Sequence, residues 1–149
     1  MPNMIVGPNA GSRRAPMMSS TPSGAISETW MPLMRASGTR ARQLLMMACR
    51  PIPAGTPPLS GHDLEHKLSH AEGWEIVDGS LTKTFQFEDH YQTMAFVNAV
   101  AWISHREDHH PEMLVGYNTC TLRYNTHSIG GISDNDFICS AKVDHLVGD

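Results

Sequence analysis

From residue 60 onward, hydrophobic and polar positions fall into short, regular blocks. Leu64 and Leu68 stand four apart, behind Ser60 and His62-Asp63, either of which can cap a short helix running to about His70. Gly73 ends that helix, and Trp74-Glu75-Ile76-Val77 reads as a strand. Asp78-Gly79 has the composition of a two-residue type I′ turn. Residues 81–87 then alternate apolar and polar, as a strand with one buried face does. Together these blocks predict a β-hairpin.

Asp89 opens a long helix over residues 90–105. Its apolar residues point three ways: Phe96, Val100 and Ile103; Tyr91, Ala95 and Trp102; Met94, Val97 and Ala101. A helix apolar nearly all round must be covered on more than one side. A domain of this size offers one sheet, so the remaining face predicts a second copy of the chain, in a homo-oligomer. The alternative is a helix roofed by other helices of the same chain.

Pro111 stops the helical run. Residues 113–117 predict a third strand, Asn118-Thr119 a turn, and residues 120–126 a fourth strand with Leu122 and Tyr124 on one face. Gly130-Gly131 breaks the chain, and Ser133-Asp134-Asn135-Asp136 has the spacing of a capping box. A last helix follows to about Leu146. The order αββαββα predicts an α+β fold, a four-stranded antiparallel sheet with its helices on one face.

Composition divides the chain at about the same place. Of 149 residues, the first sixty hold six arginines, no lysine and a single acid, Glu28. The remainder holds all nine histidines and most of the acids behind a net charge of −4. Residues 1–56 lack apolar periodicity and are rich in Pro, Ser, Gly and Met, so they are expected to be disordered or a non-native extension ahead of a domain at 57–149. Three readings compete: an organelle targeting peptide, a flexible tail, or translation beginning at Met31, Met46 or Met47. The last two are preferred. No stretch approaches the roughly 20 apolar residues of a membrane span. The few Lys and Arg of the folded part make no basic patch, which argues against a nucleic-acid surface. Three cysteines without CxxC spacing point to a reducing compartment, and the expected location is cytoplasmic.

The candidate chemistry lies in the histidines. His109 and His110 stand ahead of Pro111 and Glu112 at the end of the long helix, and His127 follows the last strand. Imidazole changes charge near neutral pH, so it can give or take a proton at little cost. Asp136, in the first turn of the last helix, can reach the same pocket, and Trp74 can supply an aromatic wall. Nothing in the chain resembles a phosphate loop, an obvious nucleophile or a cofactor motif. Acid–base catalysis on a planar ring fits best. Each residue also has a plainer use: His109 and His110 as helix C-terminal cations, His127 as a strand-end hydrogen-bonding group, Asp136 as the capping partner of Ser133, and Trp74 as core. His105 and His109, four apart on a helix, also have zinc-like spacing, but no HExxH is present and Pro111 redirects Glu112, so no metal site is assigned. The remaining histidines are read as solvated.

Over residues 60–147 the sequence resembles the pterin-4a-carbinolamine dehydratases. The resemblance is carried by Gly73-Trp74, Phe85-Gln86-Phe87, the run from Ala95 to Val100, Asp108-His109-His110-Pro111-Glu112, Thr126-His127-Ser128 and the run from Gly131 to Phe137. It looks most like the bacterial branch; Ile132 replaces a more usual Leu. It implies three helices on a four-stranded antiparallel sheet and assembly into dimers or tetramers. It further implies loss of water from 4a-hydroxytetrahydropterin to give quinonoid dihydropterin, which recycles the pterin of aromatic amino acid hydroxylases, phenylalanine hydroxylase especially. No metal or dissociable cofactor is implied. His109 and His127 would be the acid–base pair, and His110 would hold the pterin. Asp136 would orient an imidazole or accept from the ring. Trp74 and Glu112 would complete the substrate-binding set. A non-catalytic dimerisation or assembly partner is the alternative reading.

Overall fold

The computed structural model describes residues 39–148. Elements run in the order α1 (Thr39–Met46), α2 (Gly61–Leu68), β1 (Glu75–Val77), β2 (Ser80–Gln86), α3 (His90–Glu107), β3 (Glu112–Val115), β4 (Thr119–Tyr124), a 3₁₀ turn (His127–Ile129) and α4 (Asp134–Val147). The strands form one antiparallel sheet in the order β1-β2-β4-β3.

The first hairpin follows from its turn residues. Val77 pairs with Ser80, and Asp78 (φ 50°) and Gly79 (φ 74°) both adopt the positive φ that a type I′ turn needs. The second hairpin is displaced from its expected register. Gly116 N–H donates to the Thr119 carbonyl at 2.8 Å, so Tyr117 and Asn118 form the loop and β4 starts at Thr119. The Asn118-Thr119 turn read from sequence is thus one residue late.

Period-2 alternation sorts the sheet into two faces. Leu81, Phe85, Cys120, Leu122 and Tyr124 are buried beneath the helices, while Thr84, Gln86 and Leu114 are exposed on the other side. Leu64 and Leu68 of α2 pack against this core as expected. From α3 come Phe96 and Val100, and from α4 Phe137 and Val143. Truncating a buried aromatic such as Phe137 to Ala costs about 3–5 kcal/mol in lost transfer energy and cavity formation.

Helix α3 buries one stripe only: Thr93, Phe96, Val100 and Ser104. Of its two other apolar groups, one stays exposed, with Tyr91 at 82% and Trp102 at 62%, while Val97 of the third packs against the core. At its C-terminus Asp108 takes a left-handed conformation (φ 50°), and the His109 N–H reaches back to the Ser104 carbonyl at 3.2 Å. That turn sends the chain off the helix axis at the first of the paired histidines. Asp is one of the few non-glycine residues that occupy this region, as its short polar side chain can hydrogen-bond locally.

The expected disorder up to residue 56 does not extend through 39–56. Helix α1 packs on α4, and Leu44 and Cys49 pack against the core. The Asn135 side chain clamps the backbone of Arg50, accepting from its N–H at 3.1 Å and donating to its carbonyl at 2.8 Å. Further on, the Leu59 N–H donates to the Ile132 carbonyl at 2.8 Å. Gly131 permits this approach: a Cβ there would lie 2.6 Å from Pro58 Cβ. The readings placed on residues 1–38 lie outside the described residues. Among the described residues, no helix is long and apolar enough to cross a membrane.

Candidate active site

Asp136 organises the centre of the site. It occupies the first turn of α4, where the helix dipole favours a carboxylate. The capping box read from the sequence is formed: Ser133 N–H donates to Asp136 Oδ2 at 2.7 Å. Thr126 Oγ1 donates to the same oxygen at 2.9 Å and lies 2.6 Å from Ser133 Oγ. Asp136 is fully buried, so these donors replace the water its carboxylate gives up.

The other oxygen holds a histidine. His109 Nε2 lies 2.6 Å from Asp136 Oδ1, with the His109 side chain 10% exposed. A carboxylate only accepts, so Nε2 is the protonated nitrogen and Nδ1 is left to exchange a proton. The imidazole also stacks on Tyr124, with ring centroids 5.8 Å apart and planes 13° apart. Burial, reinforced by neighbouring Cys139, pushes the Tyr124 phenol far above its ordinary range. Tyr124 is therefore a neutral, fixed platform under the imidazole.

His127 reaches the site by a separate route. Thr126 and Gly131 pair as an antiparallel bridge, with the Thr126 N–H donating to the Gly131 carbonyl at 2.9 Å. The bridge closes a tight loop whose 3₁₀ turn begins at His127. His109, His110 and His127 all line one cavity of about 480 Å³, within the usual range for a small-molecule site. Both His110 and His127 are solvent-exposed at this wall, and His109 is the inner, anchored member. Such an arrangement can donate a proton on one side of a flat ligand and remove one on another.

Two expected members lie elsewhere. Trp74 does not line this cavity. It is a core residue, 5% exposed, whose Nε1–H donates to Asp144 Oδ2 at 2.9 Å and whose ring meets Phe85 edge-on. A tryptophan ahead of a strand packs inward when its N–H finds an acceptor. Glu112 is exposed at the start of β3, 3.6 Å from Arg123, and does not line the cavity either. Pro111 and the turn into β3 carry its side chain away. Conversely, sequence reading missed a wall of the cavity, formed by Cys49, Arg50, Pro51 and Ile52. Nothing in the periodicity of that segment signals it.

Glu107, the last residue of α3, braces this wall. Its carboxylate accepts from the Cys49 N–H at 2.9 Å and pairs with Lys142. Burial works to raise its pKa, but the Lys142 ammonium and the Cys49 N–H outweigh it and hold the carboxyl below its usual range. His105, the other half of the zinc-like spacing, is exposed and lies against Trp102, with ring centroids 6.0 Å apart.

Fold and site together define a small α+β domain with a carboxylate-anchored imidazole and two further histidines around one cavity. Residues 57–146 match the family described as pterin 4 alpha carbinolamine dehydratase, and the chain belongs to that family. A relative from Nitrosomonas eutropha is 57% identical over 100 residues, covering 66% of this chain and 88% of its own length. One from Nitrosospira multiformis is 51% identical over 108 residues, covering 72% of this chain and 96% of its own. Both carry pterin-4-alpha-carbinolamine dehydratase as a provisional name. The second match is longer than the stretch from Pro57 to the C-terminus, so it takes in residues of the preceding segment. A Brucella melitensis crystal structure, described as a transcriptional coactivator/pterin dehydratase, aligns with a TM-score of 0.58 at 27% identity, over 60% of this chain and 97% of that one.

Proposed function

We propose that this chain removes water from 4a-hydroxytetrahydropterin, yielding quinonoid dihydropterin. The observation that carries the reading is the shared cavity: His109, anchored by Asp136, opens onto the same space as His127. Loss of the 4a-hydroxyl needs a proton on the leaving oxygen and removal of a proton from a ring nitrogen. One imidazole performs each transfer, at gains of about 10²–10⁴ per positioned group. His109 and His127 are the pair, one as acid and the other as base. His110, at the rim, holds the pterin. Asp136 is a positioning residue that fixes the tautomer of His109. No step needs a metal or dissociable cofactor.

The product would serve aromatic amino acid hydroxylases, phenylalanine hydroxylase among them, in the cytoplasm. The exposed Tyr91, Met94 and Trp102 of α3 support a homodimer or homotetramer. The Brucella protein's description also names coactivation; the complete histidine–aspartate network favours catalysis here.

The test follows quinonoid dihydropterin formation from synthetic carbinolamine. His109→Ala and His127→Ala should each slow turnover by about 10²-fold or more, with the fold and oligomer intact. Normal turnover by both variants would overturn the assignment.

A further inference from the structure

Two cysteines ninety positions apart in the chain meet beside the cavity. Cys49 Sγ lies 3.5 Å from Cys139 Sγ and 3.7 Å from the Asn135 carbonyl. Cys139 is fully buried on α4, whereas Cys49 is half-buried in the irregular stretch after α1 and lines the cavity wall. The backbone on either side of the Cys49 sulfur is already held in place, through its own N–H to Glu107 and through Arg50 to Asn135. Cys120, the third cysteine, is buried in β4.

We propose that Cys49 and Cys139 form a reversible thiol–disulfide couple that, on reaction with a peroxide, ties the Cys49–Ile52 wall of the cavity to α4. A disulfide needs sulfurs about 2.05 Å apart, so the pair must close by roughly 1.5 Å. Cys49 supplies that movement by turning about its side-chain bonds, with the hydrogen bonds on its backbone kept. Cys49 reacts first, being the thiol that faces the cavity. Its sulfur attacks one peroxide oxygen and becomes a sulfenic acid, with release of one water. The Cys139 sulfur then attacks the Cys49 sulfur, the S–O bond breaks, and hydroxide leaves with the Cys139 proton as a second water. Two thiols lose two electrons, and one hydrogen peroxide gains them. Hydrogen bonding to Cys49 and burial keep Cys139 protonated until then, with its pKa far above the usual thiol range. A small-molecule dithiol restores both thiols. In a reducing compartment such a bond is transient and reports oxidant rather than stabilising the resting fold.

The test uses the full chain and hydrogen peroxide. After oxidation and alkylation of remaining thiols, a non-reducing digest should yield one peptide pair linked through Cys49 and Cys139. Reactive thiols per denatured chain should fall from three to one, with a mass loss of two hydrogens and full recovery in dithiothreitol. Cys120→Ser should behave as the wild type, and Cys49→Ser should form no intramolecular bond. Cys139→Ala should leave Cys49 as a sulfenic acid that a dimedone probe captures. Where the buried Cys139→Ala folds poorly, Cys49→Ser, in the irregular stretch after α1, carries the comparison. A wild-type chain whose Cys49 proceeds to sulfinic acid without crosslinking, or that links through Cys120 or between chains, overturns the proposal.

Discussion

His109 Nε2 and Asp136 Oδ1 lie 2.6 Å apart, and the second oxygen of the same carboxylate is fully committed to Ser133 N–H and Thr126 Oγ1. The helix cap and the imidazole anchor are thus one group. Asp136→Asn keeps the shape but turns one oxygen into a donor. If the amide oxygen stays with Ser133 and Thr126, the NH₂ faces His109 and forces the opposite tautomer. Turnover should fall by about 10²–10⁴, as it does when an orienting carboxylate is neutralised elsewhere, while KM changes little. The nitrogen-15 shifts of His109 should report protonation moving from Nε2 to Nδ1. A variant with near-normal kcat and an unchanged tautomer would remove Asp136 from the mechanism.

Trp74 separates a binding role from a packing one. Its indole N–H donates to Asp144, and Lys83 donates to the other oxygen of Asp144 at 2.8 Å while lying 5.9 Å over the indole ring. Trp74→Phe withdraws one donor from that carboxylate and leaves a gap beside Phe85. The cost should be about 1–3 kcal/mol of stability, read by urea denaturation, with KM for the carbinolamine unchanged. A raised KM at unchanged stability would restore Trp74 to the substrate pocket.

These two residues mark what could be read from the chain. Asp136 was legible because its spacing from Ser133 is a local rule, and local rules survive folding. The Asp78-Gly79 turn and the Leu64/Leu68 face were legible for the same reason. For Trp74 the choice between core and pocket wall was not, because its partner Asp144 lies 70 positions away. The order of residues 39–56 was not, because it comes from clamps such as Asn135 on Arg50 and not from any periodic apolar face. The second hairpin slipped by one residue because Gly116 closes it as well as a residue further on would, and composition does not choose between them. The histidine cluster was legible as chemistry, but its platform, Tyr124, stood out only as a residue sharing a strand face with Leu122.

Glu107 makes the cavity wall sensitive to acid. Its carboxyl is held below its ordinary value of 4.5 by Lys142 and the Cys49 N–H, against the effect of burial. A lowered folded pKa contributes stability at pH above the unfolded value and loses it as pH falls through the folded one. Glu107→Gln should therefore be less stable than the wild type at pH 7, with the difference shrinking below about pH 4.5. Urea titrations at several pH values measure this. A gap that stays constant down to pH 3 would show that the ion pair contributes nothing through its charge.

Trp102 tests whether the chain meets a second copy through α3. Tyr91, Ala95, Asn98, Trp102 and His105 fall at helical spacing along the face of α3 opposite its buried stripe, and all five are exposed. Two large aromatics on an open helix face would lose little stability if replaced in a monomer, since such surface changes stay within about 0.5 kcal/mol. In an assembly the same position is a candidate anchor, because tryptophan dominates interface energetics and truncating such an anchor costs about 2 kcal/mol or more. The wild type should run by light scattering at two or more times 16.4 kDa, and Trp102→Glu should fall to a smaller species with its thermal melt little changed. A monomeric wild type at tens of micromolar would dismiss the assembly altogether. An unchanged Trp102→Glu oligomer would move the interface off α3, most simply to the exposed edge of β3, where Leu114 stands 73% exposed.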